Sequence, residues 1–236
     1  EVHPYLHWHS AAQTAVDLLH CMPALLAYYG YSYPTDIVVS GYSQGGAVAL
    51  GVVRMLEEIQ GKSGKAKAKS RVNWTIRKLY AGAGPYDPAA TYDYCVSHNT
   101  MGIPAAIPLI VMGMNDAYEL GFKLENFFLN PLLSNYEKWI SSKEYSVSQI
   151  NQLMGSTVMS ELMTATSLDR TQPQVELLYE VLVKNSNVGY ELQSPSYFMH
   201  SVEDDVVPLL NSIRLAAEMP DDTFVTYDFG KYGTHM

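Results

Sequence analysis

The fold is decided by residues 36–57, DIVVSGYSQGGAVALGVVRMLE, where a short apolar run leads through small residues into a helical pattern. Residues 36–41 are rich in β-branched side chains and contain no break, which predicts a buried strand of a parallel sheet. Residues 43–57 predict a helix that begins with small residues. A strand that runs directly into a helix is the building unit of an α/β fold.

A GxSxG sequence, Gly41-Tyr42-Ser43-Gln44-Gly45, lies at the junction of this strand and helix. That context is typical of a nucleophile elbow, in which a serine occupies a strained turn and exposes its hydroxyl. We expect both glycines to be required, because a side chain at either position would collide with neighbouring backbone. Ser43 is therefore the predicted nucleophile. The alternative is a small-residue turn without chemistry.

Further strands and helices alternate on both sides of a long helical block. Strands are predicted at residues 73–81, 196–200 and 223–229, and helices at residues 6–29 and 207–219. Residues 86–193 are mostly helical in pattern and hold six of the 11 methionines. The order predicts a parallel sheet of four strands with flanking helices, formed by residues 1–85 and 194–236 and interrupted by a helical insertion at 86–193.

The composition excludes several classes of protein. With 47% hydrophobic and 17% charged residues, the chain of 236 residues is not intrinsically disordered. It has no run of 18 uncharged apolar residues, so we predict no stable membrane insertion. A net charge of −9 disfavours non-specific nucleic-acid binding. The lysine-rich segment that begins at Lys62 alternates with Gly, Ser and Ala, which favours a solvated loop over an anion-binding patch.

A serine nucleophile needs a base, and the base needs an acid that orients it. After a nucleophile elbow these follow in the chain order Ser, Asp or Glu, His. The segment HSVEDDVVP at 200–208 places acidic residues after a predicted strand, and His235 follows the last strand in a loop flanked by glycine. His235 is the best base among the seven histidines. His200, at the end of its strand, is interpreted as structural.

Four segments resemble the α/β-hydrolase superfamily, with the closest likeness to bacterial relatives of the secretory lipases and esterases. They are GYSQGG at 41–46, GAGPYD at 82–87, HSVEDDVVP at 200–208 and the terminal TH, preceded by the lead-in HPYLHWHSAAQTAVDLL at 3–19. The resemblance covers most of the chain and is weakest across the insertion. It implies an α/β-hydrolase fold with residues 86–193 as a helical cap or lid.

The resemblance also implies functional roles. Ser43 would be the nucleophile, Asp204 the acid, His235 the base, and the backbone N–H of Gln44 an oxyanion donor. In the superfamily the acid commonly lies four residues before the proline of a D-x-x-V-P sequence. This spacing favours Asp204, leaving its neighbours Asp205 and then Glu203 as alternatives.

The implied function is hydrolysis of a carboxylic ester with an apolar acyl or alcohol part, through an acyl-enzyme and without a cofactor. The substrate would be a small-molecule or lipid-like ester, and the location extracytoplasmic. The alternatives are a serine peptidase on the same scaffold and a non-catalytic protein that binds an apolar ligand. The apolar residues of the insertion fit either an acyl-binding pocket or the core of a small cap.

The sequence departs from the superfamily pattern at its start. Members begin with several strands before the nucleophile strand, and the loop after the third supplies a second oxyanion N–H. Because none of these strands is recognisable before residue 36, we expect the sequence to be a fragment, with the second donor outside it.

Two further residue sets bear on metal binding and on disulfide formation. No metal site is predicted, because His3, His7 and His9 have no carboxylate or cysteine beside them. Cys21 and Cys95 leave either one disulfide or two free thiols open.

Overall fold

A computed structural model of the chain describes residues 2–61, 74–219 and 224–235. The lysine-rich segment falls largely outside the described residues. The first part of the chain forms α1 (Trp8–Tyr28), β1 (Asp36–Tyr42), α2 (Gln44–Gly61) and β2 (Thr75–Gly82). Pro23 lies inside α1, which continues past it.

The middle of the chain is helical. Its helices are α3 (Pro88–His98), α4 (Ala106–Tyr118), α5 (Leu124–Phe127), α6 (Leu132–Tyr136), α7 (Val147–Met154), α8 (Met159–Leu162) and α9 (Pro173–Lys184). A π-helical turn at Glu137–Ser141 and a 3₁₀ turn at Ala165–Leu168 complete this part. The chain then forms β3 (Ser196–Ser201), α10 (Leu210–Glu218) and β4 (Val225–Gly230).

The residues divide into two compact units. A helical unit contains Glu1–His7 and Asp87–Ser186, and a sheet unit contains Trp8–Tyr86 and Asn187–Met236. Among the described residues, residues 2–7 thus belong to the helical unit.

The sheet unit is built on four parallel strands in the order β1-β2-β3-β4. This confirms the predicted four-stranded α/β architecture. Because the strands are parallel, their carboxyl ends meet at one edge of the sheet. That edge carries the turn after Tyr42, the loop after Ser201 and the loop after Gly230.

One face of the sheet is packed against helices. Leu79, Phe198 and Val225 of the strands are buried with Leu50 of α2 and Leu215 of α10. Alternate residues of a strand point to opposite faces, so these side chains define the core side of the sheet. Burial of their apolar surface is the main force that holds α2 and α10 on the strands.

The prediction that β1 is a buried strand is wrong. Residues along β1 alternate between exposed and half-buried, and Val38 is 60% exposed. On the next strand the side chain of Tyr80 is also exposed. A buried parallel strand has helices on both of its faces. In the described parts of the chain, Ile37 and Val39 pack on the α2 side of β1, whereas Val38 points to the opposite, exposed side.

The helical unit has its own core. All six of its methionines are buried, together with large side chains such as Phe127, Phe128 and Leu132. A cavity of 40 Å³ lies among apolar side chains that include Met101 and Met159. This is well below the roughly 150 Å³ in which a cavity binds benzene. Around this cavity the methionines act as packing residues. No helix in the described ranges is long and apolar enough to cross a bilayer.

The packing of α2 on the sheet yields a stability prediction. Leu50 is fully buried and Leu18 of α1 is 59% exposed. We expect Leu50→Ala to lower the free energy of unfolding by about 2–5 kcal/mol, because it leaves a cavity in the sheet core. Leu18→Ala should change it by less than about 0.5 kcal/mol. Urea unfolding measures both, and equal losses would contradict this packing.

Candidate active site

The turn between β1 and α2 holds Ser43 in a strained conformation. Its φ angle is 56°, in the left-handed region that a residue with a Cβ seldom occupies. The Ser43 N–H donates to the Gly82 carbonyl at 2.9 Å, and the Gly46 N–H donates to the Ser43 carbonyl at 2.8 Å. Backbone bonds on both sides therefore hold the serine at the carboxyl edge of the sheet.

The glycines around Ser43 differ in their roles. A Cβ at Gly41 would lie 2.0 Å from the Gly45 carbonyl oxygen, so no side chain fits there. The same expectation is wrong for Gly45, where an added Cβ would meet nothing within 4 Å. The second close approach is instead at Gly46, whose Cβ would lie 2.7 Å from the Gly82 oxygen. The turn folds β1 back over the start of α2, and this brings Gly41 and Gly46 against backbone.

Three side chains predicted from the sequence meet at this edge. His235 Nε2 lies 2.7 Å from Ser43 Oγ, and His235 Nδ1 lies 2.7 Å from Asp204 Oδ2. An ionised carboxylate only accepts hydrogen bonds, so Nδ1 carries the proton and Nε2 accepts from the serine hydroxyl. The side chains of His235 and Asp204 are 3% and 1% exposed. The arrangement can withdraw a proton from Ser43 and stabilise the resulting imidazolium.

The Asp204 carboxylate is held by several donors. Oδ1 accepts from the backbone N–H groups of Val206 and Val207 at 2.9 and 2.8 Å. Oδ2 accepts from His235 and also lies 3.2 Å from His200 Nε2. Burial alone raises the pKa of Asp204, but hydrogen bonds from His200, His235 and the two N–H groups outweigh it and lower the pKa to about 2. Asp204 is therefore an anion at neutral pH.

The two alternatives to Asp204 have other partners. Asp205 Oδ1 accepts from the backbone N–H of His235 at 3.2 Å, so it holds the main chain of the base. Glu203 Oε1 lies 3.7 Å from Lys231 Nζ in an exposed pair. Only Asp204 among these three contacts the His235 imidazole in the structure.

Tyr42 also supports the base. Its hydroxyl donates to the His235 carbonyl at 2.6 Å, and its ring lies 5.1 Å from the imidazole. Burial, and then the negative charge of Asp204, raise the pKa of Tyr42. Its side chain is the variable residue before the serine in GxSxG, and nothing in that motif indicates a role.

Gln44 is the first residue of α2. The N–H groups of a first helical turn point towards the N-terminal end of the helix and carry its partial positive charge. The Gln44 N–H belongs to this group, directly after Ser43 in the chain.

The remaining histidines and cysteines form no further centre that the structure shows. Within the described residues, no group of three or more His, Cys, Asp or Glu side chains is arranged to hold a metal ion. His7 packs edge-on against Tyr118 in the helical unit. Cys21 and Cys95 are both free thiols, which decides between the two alternatives left open by the sequence. Burial raises the pKa of Cys95 to about 11.

The sequence matches no family model and no curated protein. Solved structures do match. The rice cell wall degrading esterase LipA from Xanthomonas oryzae aligns with a TM-score of 0.78 and 21% identity over 98% of this chain and 61% of that chain. A protein of Legionella pneumophila described as a candidate hydrolase aligns with a TM-score of 0.80 and 15% identity, over 99% of this chain and 60% of that chain. Candida antarctica lipase A aligns with a TM-score of 0.65 and 13% identity, over 98% of this chain and 51% of that chain.

At these identities the similarity establishes the fold. The four parallel strands and flanking helices agree with the α/β-hydrolase structures over nearly the whole of this chain. The chain spans about 60% of the length of LipA and of the Legionella protein. The chain therefore has the α/β-hydrolase fold, which confirms the fold that the sequence resemblance implied.

The elbow geometry predicts a contrast between two glycine substitutions. Gly41→Ala forces a Cβ into the Gly45 carbonyl, so the turn must open, and we expect a loss of stability above about 2 kcal/mol. Gly45→Ala meets open space inside a helix and should be neutral or stabilising by up to about 1 kcal/mol. Thermal unfolding of both variants measures the difference, and a more damaging Gly45→Ala would contradict the geometry.

The lowered pKa of Asp204 predicts a dependence of stability on pH. The folded pKa of about 2 lies below that of an unfolded aspartate, about 3.9, so the contribution is complete above that value. It is lost as the pH falls from about 4 to about 2, and amounts to about 2–3 kcal/mol. Over this range the free energy of unfolding should fall less steeply in Asp204→Asn than in the wild type. Equal slopes in acid denaturation would contradict the assignment.

Proposed function

We propose that the chain carries the catalytic residues of a serine hydrolase that cleaves carboxylic esters through an acyl-enzyme. The observation that carries this proposal is the line of contacts from Ser43 Oγ through the His235 imidazole to Asp204, with 2.7 Å at each step. A serine at a strained turn, a base within hydrogen-bond reach and a buried acid behind the base are the parts that nucleophilic acyl transfer needs.

The chemistry follows from the positions of the protons. His235 Nε2 accepts the hydroxyl proton of Ser43 while Oγ attacks the ester carbonyl carbon. The oxyanion of the tetrahedral intermediate accepts a hydrogen bond from the Gln44 N–H, and Asp204 stabilises the imidazolium. His235 then gives its proton to the leaving alcohol, and the C–O bond to the alcohol breaks. In the second half of the reaction His235 deprotonates water, which attacks the acyl carbon. The bond from the acyl group to Ser43 Oγ then breaks, and His235 returns the proton to Oγ.

Ester cleavage is favoured over amide cleavage by the similar structures, which include a protein named as an esterase and one named as a lipase. We further propose an apolar acyl or alcohol part in the substrate. An extracytoplasmic location and a role of residues 86–193 as a cap stay predictions of the sequence.

A fluorophosphonate probe tests the nucleophile, because it reacts covalently with an activated serine. We expect the wild-type chain to be labelled, with labelling lost in Ser43→Ala and at least about 10³-fold slower in His235→Ala. Ser40→Ala, two residues before Tyr42 on β1, is the matched control and should label as the wild type does. Persistent labelling of Ser43→Ala would end the proposal.

A substrate panel then tests the bond and the acyl chain. We expect p-nitrophenyl esters to be hydrolysed, with Ser43→Ala inactive on each, and dipeptide amides to be left intact. Cleavage of the amides at a comparable kcat/KM would instead favour the peptidase alternative. A folded wild-type chain that neither labels nor hydrolyses would favour a binding role.

A further inference from the structure

A second histidine contacts the same carboxylate. His200 is the fifth residue of β3, and its side chain is fully buried. Its Nε2 lies 3.0 Å from the Val207 carbonyl oxygen and 3.2 Å from Asp204 Oδ2, and its Nδ1 lies 2.7 Å from Ser212 Oγ. Every nitrogen of this ring therefore has a partner.

The partners decide where the proton of His200 lies. A carbonyl oxygen and a carboxylate only accept hydrogen bonds, so Nε2 must carry a proton and donate towards both. In the neutral ring Nδ1 then accepts from the Ser212 hydroxyl. This tautomer follows from the chemistry of the partners. It directs the Nε2 proton to the Val207 carbonyl at 3.0 Å, with Asp204 Oδ2 as a second, longer contact at 3.2 Å.

The donors to Asp204 leave little freedom to its carboxylate. Two carboxylate oxygens offer about four lone-pair directions. Oδ1 receives the N–H groups of Val206 and Val207. Oδ2 receives the N–H of His235 and lies 3.2 Å from His200 Nε2. With His200 on one side of Oδ2, the remaining direction at that oxygen faces the His235 imidazole. Rotation of the carboxylate away from His235 would break bonds on both oxygens.

We propose that His200 is a positioning residue: it donates to Asp204 Oδ2, fixes the plane of that carboxylate and thereby orients His235 towards Ser43. The catalytic part of this inference rests on the proposed function, whereas the orientation of His235 is a property of the folded chain. The Ser212 hydroxyl fixes the tautomer of His200 and so acts one step further away.

The experiment uses four variants of the full chain. His200→Leu removes the donor, and His200→Gln keeps an N–H at a similar reach. Ser212→Ala removes the hydroxyl that faces Nδ1. Ser196→Ala is the matched control, because it deletes an equally buried serine hydroxyl on β3, one that bonds to the Ser194 carbonyl at 2.9 Å.

Three measurements are made on each variant. Nitrogen-15 NMR of the imidazoles follows the exchange with water of the His235 Nδ1 proton, which the bond to Asp204 protects. Steady-state hydrolysis of a p-nitrophenyl ester separates kcat from KM. Thermal unfolding shows that each variant is folded at the temperature used.

We expect the His235 proton to exchange much faster in His200→Leu and to stay protected in His200→Gln and Ser196→Ala. Loss of one hydrogen bond to a charged group should lower kcat about tenfold in His200→Leu, with KM changed less than about twofold. His200→Gln should recover most of this loss, and Ser212→Ala should fall between the two.

Protection of His235 that is unchanged in folded His200→Leu would overturn the inference, as would equal losses in Ser212→Ala and Ser196→Ala. If His200→Leu does not fold, the comparison of His200→Gln and Ser212→Ala with Ser196→Ala decides. If the wild type shows no ester hydrolysis while proton exchange responds as expected, the proposed function fails and the positioning of His235 by His200 stands.

Discussion

The strained backbone at Ser43 is the constraint on which the rest of the site depends. A positive φ at a residue with a Cβ costs energy and persists only where its surroundings hold it. Here the hydrogen bond from Ser43 to Gly82 ties the turn to β2, and the absence of a Cβ at Gly41 and Gly46 lets backbone approach backbone. The packing of α2 on the sheet holds the start of this helix, and with it the turn at Ser43, against the strands.

The second requirement is a buried negative charge. Asp204 is almost fully excluded from water, which would favour its neutral form, yet donors from its own loop and from two histidines keep it ionised. The same hydrogen bonds that keep the Asp204 carboxylate ionised also fix its orientation. Stability and the proposed catalysis are therefore coupled at this residue, since any change that frees the carboxylate weakens both.

Much of this organisation was predictable because it is encoded locally. The run of β-branched residues before Ser43, the small residues after it and the alternation of strands and helices predict the parallel sheet. Parallel strands bring their carboxyl ends together, and this alone predicts that Asp204 and His235 lie near Ser43. The exposure of β1 was not predictable, because burial depends on what covers each face, and the pattern of one strand cannot report this.

Other features depend on contacts between residues far apart in the chain. The need for Gly46, the support of His235 by Tyr42 and Asp205, and the donor role of His200 all depend on atoms that only folding brings within bonding distance. The sequence by itself determined the fold class and the residue types available for acyl transfer, because periodicity and motif spacing are local. Only the tertiary structure decided which acid faces the base and which groups hold them, because hydrogen bonds depend on direction and on distances of a few tenths of an ångström.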